Sequence, residues 1–184
     1  MRIIAGELKG KNLFSIKGQT TRPTSDKLRE TIFNILAHRL SGAFVLDLFA
    51  GTGALGIEAI SRGALFSYFI DNKKEAVVII NKNIQSCKIE DKSSIIQWDV
   101  KRSLKCIETL KKKFDLVFMD PPYNAGLIKP ALINLQKSGT LQAGASVVIE
   151  HDLYEPIPDD LKEFNMTDKR KFRRTFLSIL KYEY

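Results

Sequence analysis

From residue 43 onward the chain repeats one texture: a short apolar run, a polar turn, then apolar positions spaced three and four apart. Phe44-Val45-Leu46-Asp47-Leu48, Phe66 to Ile70, Ser94 to Trp98, Phe114 to Met119 and Ser146 to Ile149 read as buried strands. Helices are expected between and after them, over roughly 54–62, 73–87, 101–111 and 126–138. Strands alternating with helices imply a parallel, doubly wound sheet with right-handed crossovers. The two flanks differ. Residues 1–20 set Gly6, Gly10 and Gly18 among short apolar patches, which predicts a hairpin or arm. Pro23 ends an extended stretch, and Thr24 or Ser25 can cap the helix that follows. Leu28, Ile32, Ile35 and Leu36 then form one apolar stripe, with Lys27, Arg29 and Arg39 on the polar side. At the far end, stretches near 162–167 and 175–182 predict an antiparallel hairpin turning at Lys169-Arg170-Lys171. The reading is one domain over 1–184: an arm (1–20), a basic helix (21–41) and an α/β core (42–184).

Charge adds a partner to this picture. The net charge is +8, divided as +5 over residues 1–41, −1 over 42–160 and +4 over 161–184. Basic ends around a near-neutral middle suit a polyanion docking on the terminal segments. Phosphate contacts are expected from Arg22, Lys27 and Arg29, with Lys9, Lys11, Arg173 and Arg174 as further candidates. Cys87 and Cys106 form no CxxC pair and only His38 and His151 accompany them, so no metal site is expected. Two thiols suit a reducing compartment. Glu7 interrupts the first apolar patch before a signal-peptide core develops, and no stretch approaches the roughly 20 apolar residues of a membrane span. A cytoplasmic location with no membrane contact is expected, as is a monomer.

The first strand-to-helix turn carries Asp47-Leu48-Phe49-Ala50-Gly51-Thr52-Gly53-Ala54-Leu55-Gly56. Ligands of open parallel sheets bind outside the carboxyl ends of the strands, where glycines let backbone approach closely. Gly51, Gly53 and Gly56 also match the dinucleotide fingerprint, and Asp71 lies 20 positions after Gly51, where a ribose-binding acid belongs. A nicotinamide oxidoreductase is therefore one reading. Against it, Asp47 would disfavour a pyrophosphate and attract a cationic ligand. Three acids, Asp47, Asp71 and Asp99, end three successive strands. They suit a ligand with a positive charge, a ribose diol and an adenine amine, and S-adenosylmethionine has all three. Phe49, Thr52, Asn72 and Val100, beside those acids and glycines, join the expected cofactor set.

The fourth strand ends in Asp120-Pro121-Pro122-Tyr123. An exocyclic base amine is a poor nucleophile because its lone pair is delocalised into the ring. Accepting hydrogen bonds from its two N–H groups favours a tetrahedral nitrogen with the lone pair freed toward a methyl donor. Asp120 offers a carboxylate acceptor and Pro121 its backbone carbonyl, while the two prolines stiffen the loop. Tyr123 can stack on the base. Alignment and preorganised acceptors would supply most of the acceleration. A DNA adenine-N6 methyltransferase shares this chemistry, but little chain remains for a separate target-recognition domain. A non-enzymatic RNA-binding module would not require the acceptors.

With these residues in view, the chain resembles the small bacterial 16S ribosomal RNA guanine-N2 methyltransferases. The likeness is carried by Met1-Arg2-Ile3-Ile4-Ala5-Gly6, by Arg22 to Asn34 with its Arg22-Pro23-Thr24 opening, by Leu46 to Ala59, by Ser61-Arg62-Gly63-Ala64 and by Asp120 to Tyr123. It implies a Rossmann-like class I methyltransferase fold with a seven-stranded sheet, S-adenosylmethionine as donor, and a guanine of 16S rRNA, free or in the assembling 30S subunit, as acceptor. It places Asp47, Gly51, Gly53 and Asp99 on the cofactor and Asp120 through Tyr123 on the base. Asp71 stands where glutamate is common in the family, and Tyr123 where phenylalanine is frequent. The basic stretch Lys171 to Thr175 has no counterpart in this account.

Overall fold

The buried runs pair as their polarity requires. A computed structural model describes residues 1–15 and 26–184. It contains a seven-stranded sheet in the order β3-β2-β1-β4-β5-β7-β6. The strands are β1 (Phe44–Leu48), β2 (Phe66–Asp71), β3 (Ser93–Gln97), β4 (Phe114–Met119), β5 (Leu141–Asp152), β6 (Phe164–Phe172) and β7 (Thr175–Tyr182). β1 to β5 run parallel, and β7 inserts antiparallel between β5 and β6. This is the Rossmann-like class I methyltransferase fold, with the expected hairpin at its end.

The helices are α1 (Asp26–Ile35), α2 (Ala54–Ser61), α3 (Lys74–Cys87), α4 (Lys105–Glu108) and α5 (Ile128–Lys137). Because side chains alternate along a strand, each strand feeds two layers. Leu46, Leu48, Val117, Met119, Val147 and Ile149 pack with the α4 and α5 side chains. Val45, Phe118 and Val148 face Leu28, Ile32 and Phe33 of α1. Phe69 meets Ile57 of α2, Ile80 and Ile84 of α3, and Ile3 and Leu13 of the amino-terminal arm.

The arm is a hairpin, with Arg2 bridged to Asn12 and Ile3 N donating to Lys11 O. Its backbone is stapled to α2. Ile4 N and Ala5 N donate to the two carboxylate oxygens of fully buried Glu58, at 2.8 and 3.0 Å, and Arg62 closes the pair at 2.8 Å. Gly6, at φ +83°, lies so close that a Cβ would stand 1.8 Å from Ser61 O.

Several expected boundaries move. The helix expected over 101–111 shrinks to α4, because Trp98 Nε1 donates to Ser103 O and Asp99 accepts from Lys101 N, folding 98–104 into a pinned loop. β5 begins five residues before Ser146, passing through a bulge. Lys169-Arg170-Lys171 lies inside β6, and the turn falls at Arg173-Arg174, where Arg173 takes φ +52°. β6 is an edge strand, where charged residues are tolerated, so a basic run does not mark a turn there. Arg22 and the proposed caps Thr24 and Ser25 lie outside the described residues.

Candidate active site

The pairing of β1 with β4 sets the site. Leu48 is in register with Met119, so Phe49 and Asp120 leave neighbouring parallel strands side by side, with backbones about 5 Å apart. The glycine-rich turn and Asp120-Pro121-Pro122-Tyr123 thus share one rim of the sheet.

The turn reverses sharply. Phe49 (φ +58°), Gly51 (φ +57°) and Gly53 (φ +76°) all adopt left-handed backbone. For Phe49 this costs on the order of 1–3 kcal/mol and is held by packing of its ring against the core. A Cβ on Gly51 would meet only Phe49 O at 3.9 Å, so the space before this residue is open to a ligand. Gly56 has another purpose. A Cβ there would lie 2.4 Å from Phe69 Cε1 and 2.5 Å from Ser67 Oγ, so it lets α2 rest directly on β2.

The three strand-end acids differ in environment. Asp47 is only 3% exposed and accepts from Gly56 N at 2.9 Å. Burial pushes its carboxyl up to about 8, the Gly56 N–H pulls the other way, and Asp71 adds repulsion. It props the turn from beneath α2. Asp47 was expected to attract a cationic ligand; buried and bonded to Gly56 N, it supports the turn instead. Asp71 accepts from Gly51 N at 2.9 Å and Lys73 N at 2.9 Å, tying the end of β2 to the glycine turn. Asp99 is half-exposed and pairs with Arg102 at 3.3 Å. Around them Thr52 is half-buried, Asn72 is exposed, and Val100 is buried against the α5 side of the core.

At the other motif, Pro121 is buried, Asp120 half-buried, and Pro122 and Tyr123 exposed. The Tyr123 hydroxyl donates to Glu150 Oε1 at 2.9 Å, which fixes the ring against the end of β5. The next residue, His151, is buried. Its Nδ1 faces Glu155 O at 2.8 Å and Asp152 O at 3.1 Å, so it donates there, and Nε2 accepts from Ser178 Oγ at 2.9 Å. Burial lowers its pKa, in keeping with a neutral ring.

Two residues in this architecture were not singled out from the sequence. Glu150 reads as one polar letter at the end of an apolar strand. Asn83, buried within α3, accepts from Phe14 N at 2.7 Å and donates to Phe14 O at 3.2 Å and Thr52 O at 2.8 Å. It joins the arm to the glycine turn. A polar residue on the Ile80, Ile84, Cys87 stripe of a helix was the available signal.

The expected phosphate contacts divide. Lys9, Lys11, Lys27, Arg173 and Arg174 are exposed. Arg29 is corrected: it is fully buried, and Nη2 donates to Arg2 O at 2.8 Å and to Asp26 at 2.7 Å, so it fastens α1 to the arm. Arg39 bonds Gly144 O and Ser146 Oγ at the opposite end of the sheet. Among the described residues no cluster of His, Cys, Asp and Glu could hold a metal, and no helix is long and apolar enough to cross a membrane.

The model of the family described as Conserved hypothetical protein 95 matches residues 1–181. The chain belongs to that family. YlbH of Bacillus subtilis is 34% identical over 181 residues, 98% of each chain. Ribosomal RNA small subunit methyltransferase D of Buchnera aphidicola is 36% identical over 155 residues, 84% of this chain and 80% of its own. Among solved structures, yhhF of Escherichia coli superposes with a TM-score of 0.86 at 28% identity, covering 100% of this chain and 98% of its own. Family membership therefore extends over the arm and both motifs of the rim.

Proposed function

We propose that the chain transfers a methyl group from S-adenosylmethionine to the exocyclic N2 of a guanine in 16S rRNA. The observation that carries this reading is the register of β1 with β4, which sets an open glycine turn beside Asp120-Pro121-Pro122-Tyr123. Relatives named ribosomal RNA small subunit methyltransferase D support the substrate class. The donor set fits the cofactor: backbone opened by positive φ at Gly51 and Gly53, the carboxylate of Asp71, and Asp99 at the end of the next strand.

When bound, S-adenosylmethionine supplies an electrophilic methyl on a sulfonium. Gly51, Thr52, Gly53 and Phe49 shape its seat, with Asp71, Asn72, Asp99 and Val100 on the ribose and adenine side and Asp47 supporting the turn. Asp120 and the Pro121 carbonyl accept from the guanine amine and turn its lone pair outward. Tyr123, steadied by Glu150, holds the base face. With the donor bound, Asp120 and the Pro121 carbonyl would hold the amine in line with the methyl carbon, and the proton released on transfer would pass to solvent. Preorganised acceptors and alignment account for the acceleration. Lys9, Lys11, Lys27, Arg173 and Arg174 line the phosphate path. Residues 1–184 act as one methyltransferase domain, cytoplasmic and monomeric, on rRNA free or within the assembling 30S subunit.

Undermethylated 30S subunits incubated with labelled donor test this. Label on guanine N2, lost in Asp120→Ala while donor binding persists, is the expected result. Label on adenine or on protein overturns the reading.

A further inference from the structure

Tyr154 has no role in the chemistry above, yet its surroundings are built. Its side chain is 87% exposed, more than any other large apolar or aromatic side chain described, and its ring and hydroxyl have no partner among the described residues. The backbone beneath it is fixed. Tyr154 N donates to Asp152 Oδ1 at 3.0 Å and Glu155 N to Asp152 O at 3.2 Å. Glu155 O accepts from His151 Nδ1 at 2.8 Å, and Glu155 Oε1 accepts from Leu127 N at 3.2 Å, just before α5. An aromatic side chain with few rotatable bonds, raised on a tethered loop, loses little entropy when a flat partner covers it.

Topology places this ring. β4 and β5 run parallel with Met119 opposite Ile149, so the loop after Asp152 rises beside the Asp120–Tyr123 loop, and the Tyr123–Glu150 hydrogen bond joins the two. β7 runs antiparallel with Thr175 opposite Asp152, which brings the Arg173-Arg174 turn to the same rim. In order along the rim stand Tyr123, Tyr154 and the basic turn.

We infer that Tyr154 is a second stacking platform, seating an unpaired nucleobase adjacent to the target guanine while Arg173 and Arg174 take the phosphates beyond it. The inference rests on the proposed RNA methyltransferase activity and narrows its substrate to RNA presenting at least two neighbouring unpaired nucleotides. Stacking is sequence-tolerant, so Tyr154 contributes affinity without naming the second base.

Methylation of undermethylated 30S subunits and binding of protein-free 16S RNA are measured for wild type, Tyr154→Ala and Tyr154→Phe. Tyr154→Ala is expected to raise KM for subunits and Kd for RNA roughly 5- to 100-fold, with kcat, donor affinity and melting temperature unchanged. Tyr154→Phe restores wild-type values, because the ring and not the hydroxyl carries the contact. The inference is overturned if Tyr154→Ala binds RNA like wild type, or if Tyr154→Phe is equally impaired. It is also overturned if the loss appears with subunits and not with protein-free RNA, which assigns the ring to a ribosomal protein. Failure of wild type to label guanine N2 overturns the underlying reading instead, and the RNA-binding comparison still decides Tyr154.

Discussion

Replacing Asp47 by asparagine tests the account of the glycine turn quantitatively. In the folded chain the Asp47 carboxyl titrates near 8, against 3.8 for an unburied group. The folded state therefore holds a proton that the unfolded state releases, and stability falls as pH rises between about 4 and 8. Four pH units at about 1.36 kcal/mol each make this loss about 5 kcal/mol as an upper bound. Asparagine keeps an oxygen for the Gly56 N–H and mimics the protonated acid, so the variant lacks this pH-dependent loss. Urea unfolding followed by circular dichroism at pH 4.5, 6, 7 and 8.5 is the assay. The gap between variant and wild type should widen by several kcal/mol across the series in favour of asparagine, about 2–4 °C of melting temperature per kcal/mol. A gap that stays constant from pH 4.5 to 8.5 would refute the claim that Asp47 is a buried, proton-holding prop.

Gly56→Ala should cost about 1–3 kcal/mol, since its Cβ would intrude on Phe69 and Ser67, read as a lower urea midpoint with unchanged slope. Asn83→Ala leaves the Phe14 and Thr52 backbone groups without their partner and should cost about 2–4 kcal/mol, while weakening S-adenosylmethionine binding in calorimetry through Thr52. Arg173→Gln with Arg174→Gln should lower RNA affinity and flatten its dependence on salt concentration by up to about two units of log–log slope. An unchanged slope would remove both residues from the phosphate path.

The parallel core was legible because its central strands are buried on both faces and appear as nearly continuous apolar runs, such as Phe114 to Met119, broken only by Asp115. The rim motifs were legible because glycine and proline mark backbone requirements directly. What escaped was set by tertiary contact. The pattern shows that Arg29 is polar, but not that Arg2 O and Asp26 wait for it inside the fold. Charge without apolar periodicity hid the far half of β6, so the turn was expected at Lys169-Arg170-Lys171 instead of Arg173-Arg174. The Glu150–Tyr123 and Asn83–Thr52 links join residues 27 and 31 positions apart, a distance over which local pattern carries no information.

The position of β6 at the margin of the sheet gives its cations a second task. Alternate residues of this strand turn their backbone donors and acceptors away from β7 toward the free edge, a template on which another molecule's strand can grow. Lys169, Arg170 and Lys171 repel such a copy, so neutralising them to probe RNA contacts would also invite aggregation. Substitutions at the Arg173-Arg174 turn, beyond the ladder, separate nucleic-acid affinity from colloidal behaviour.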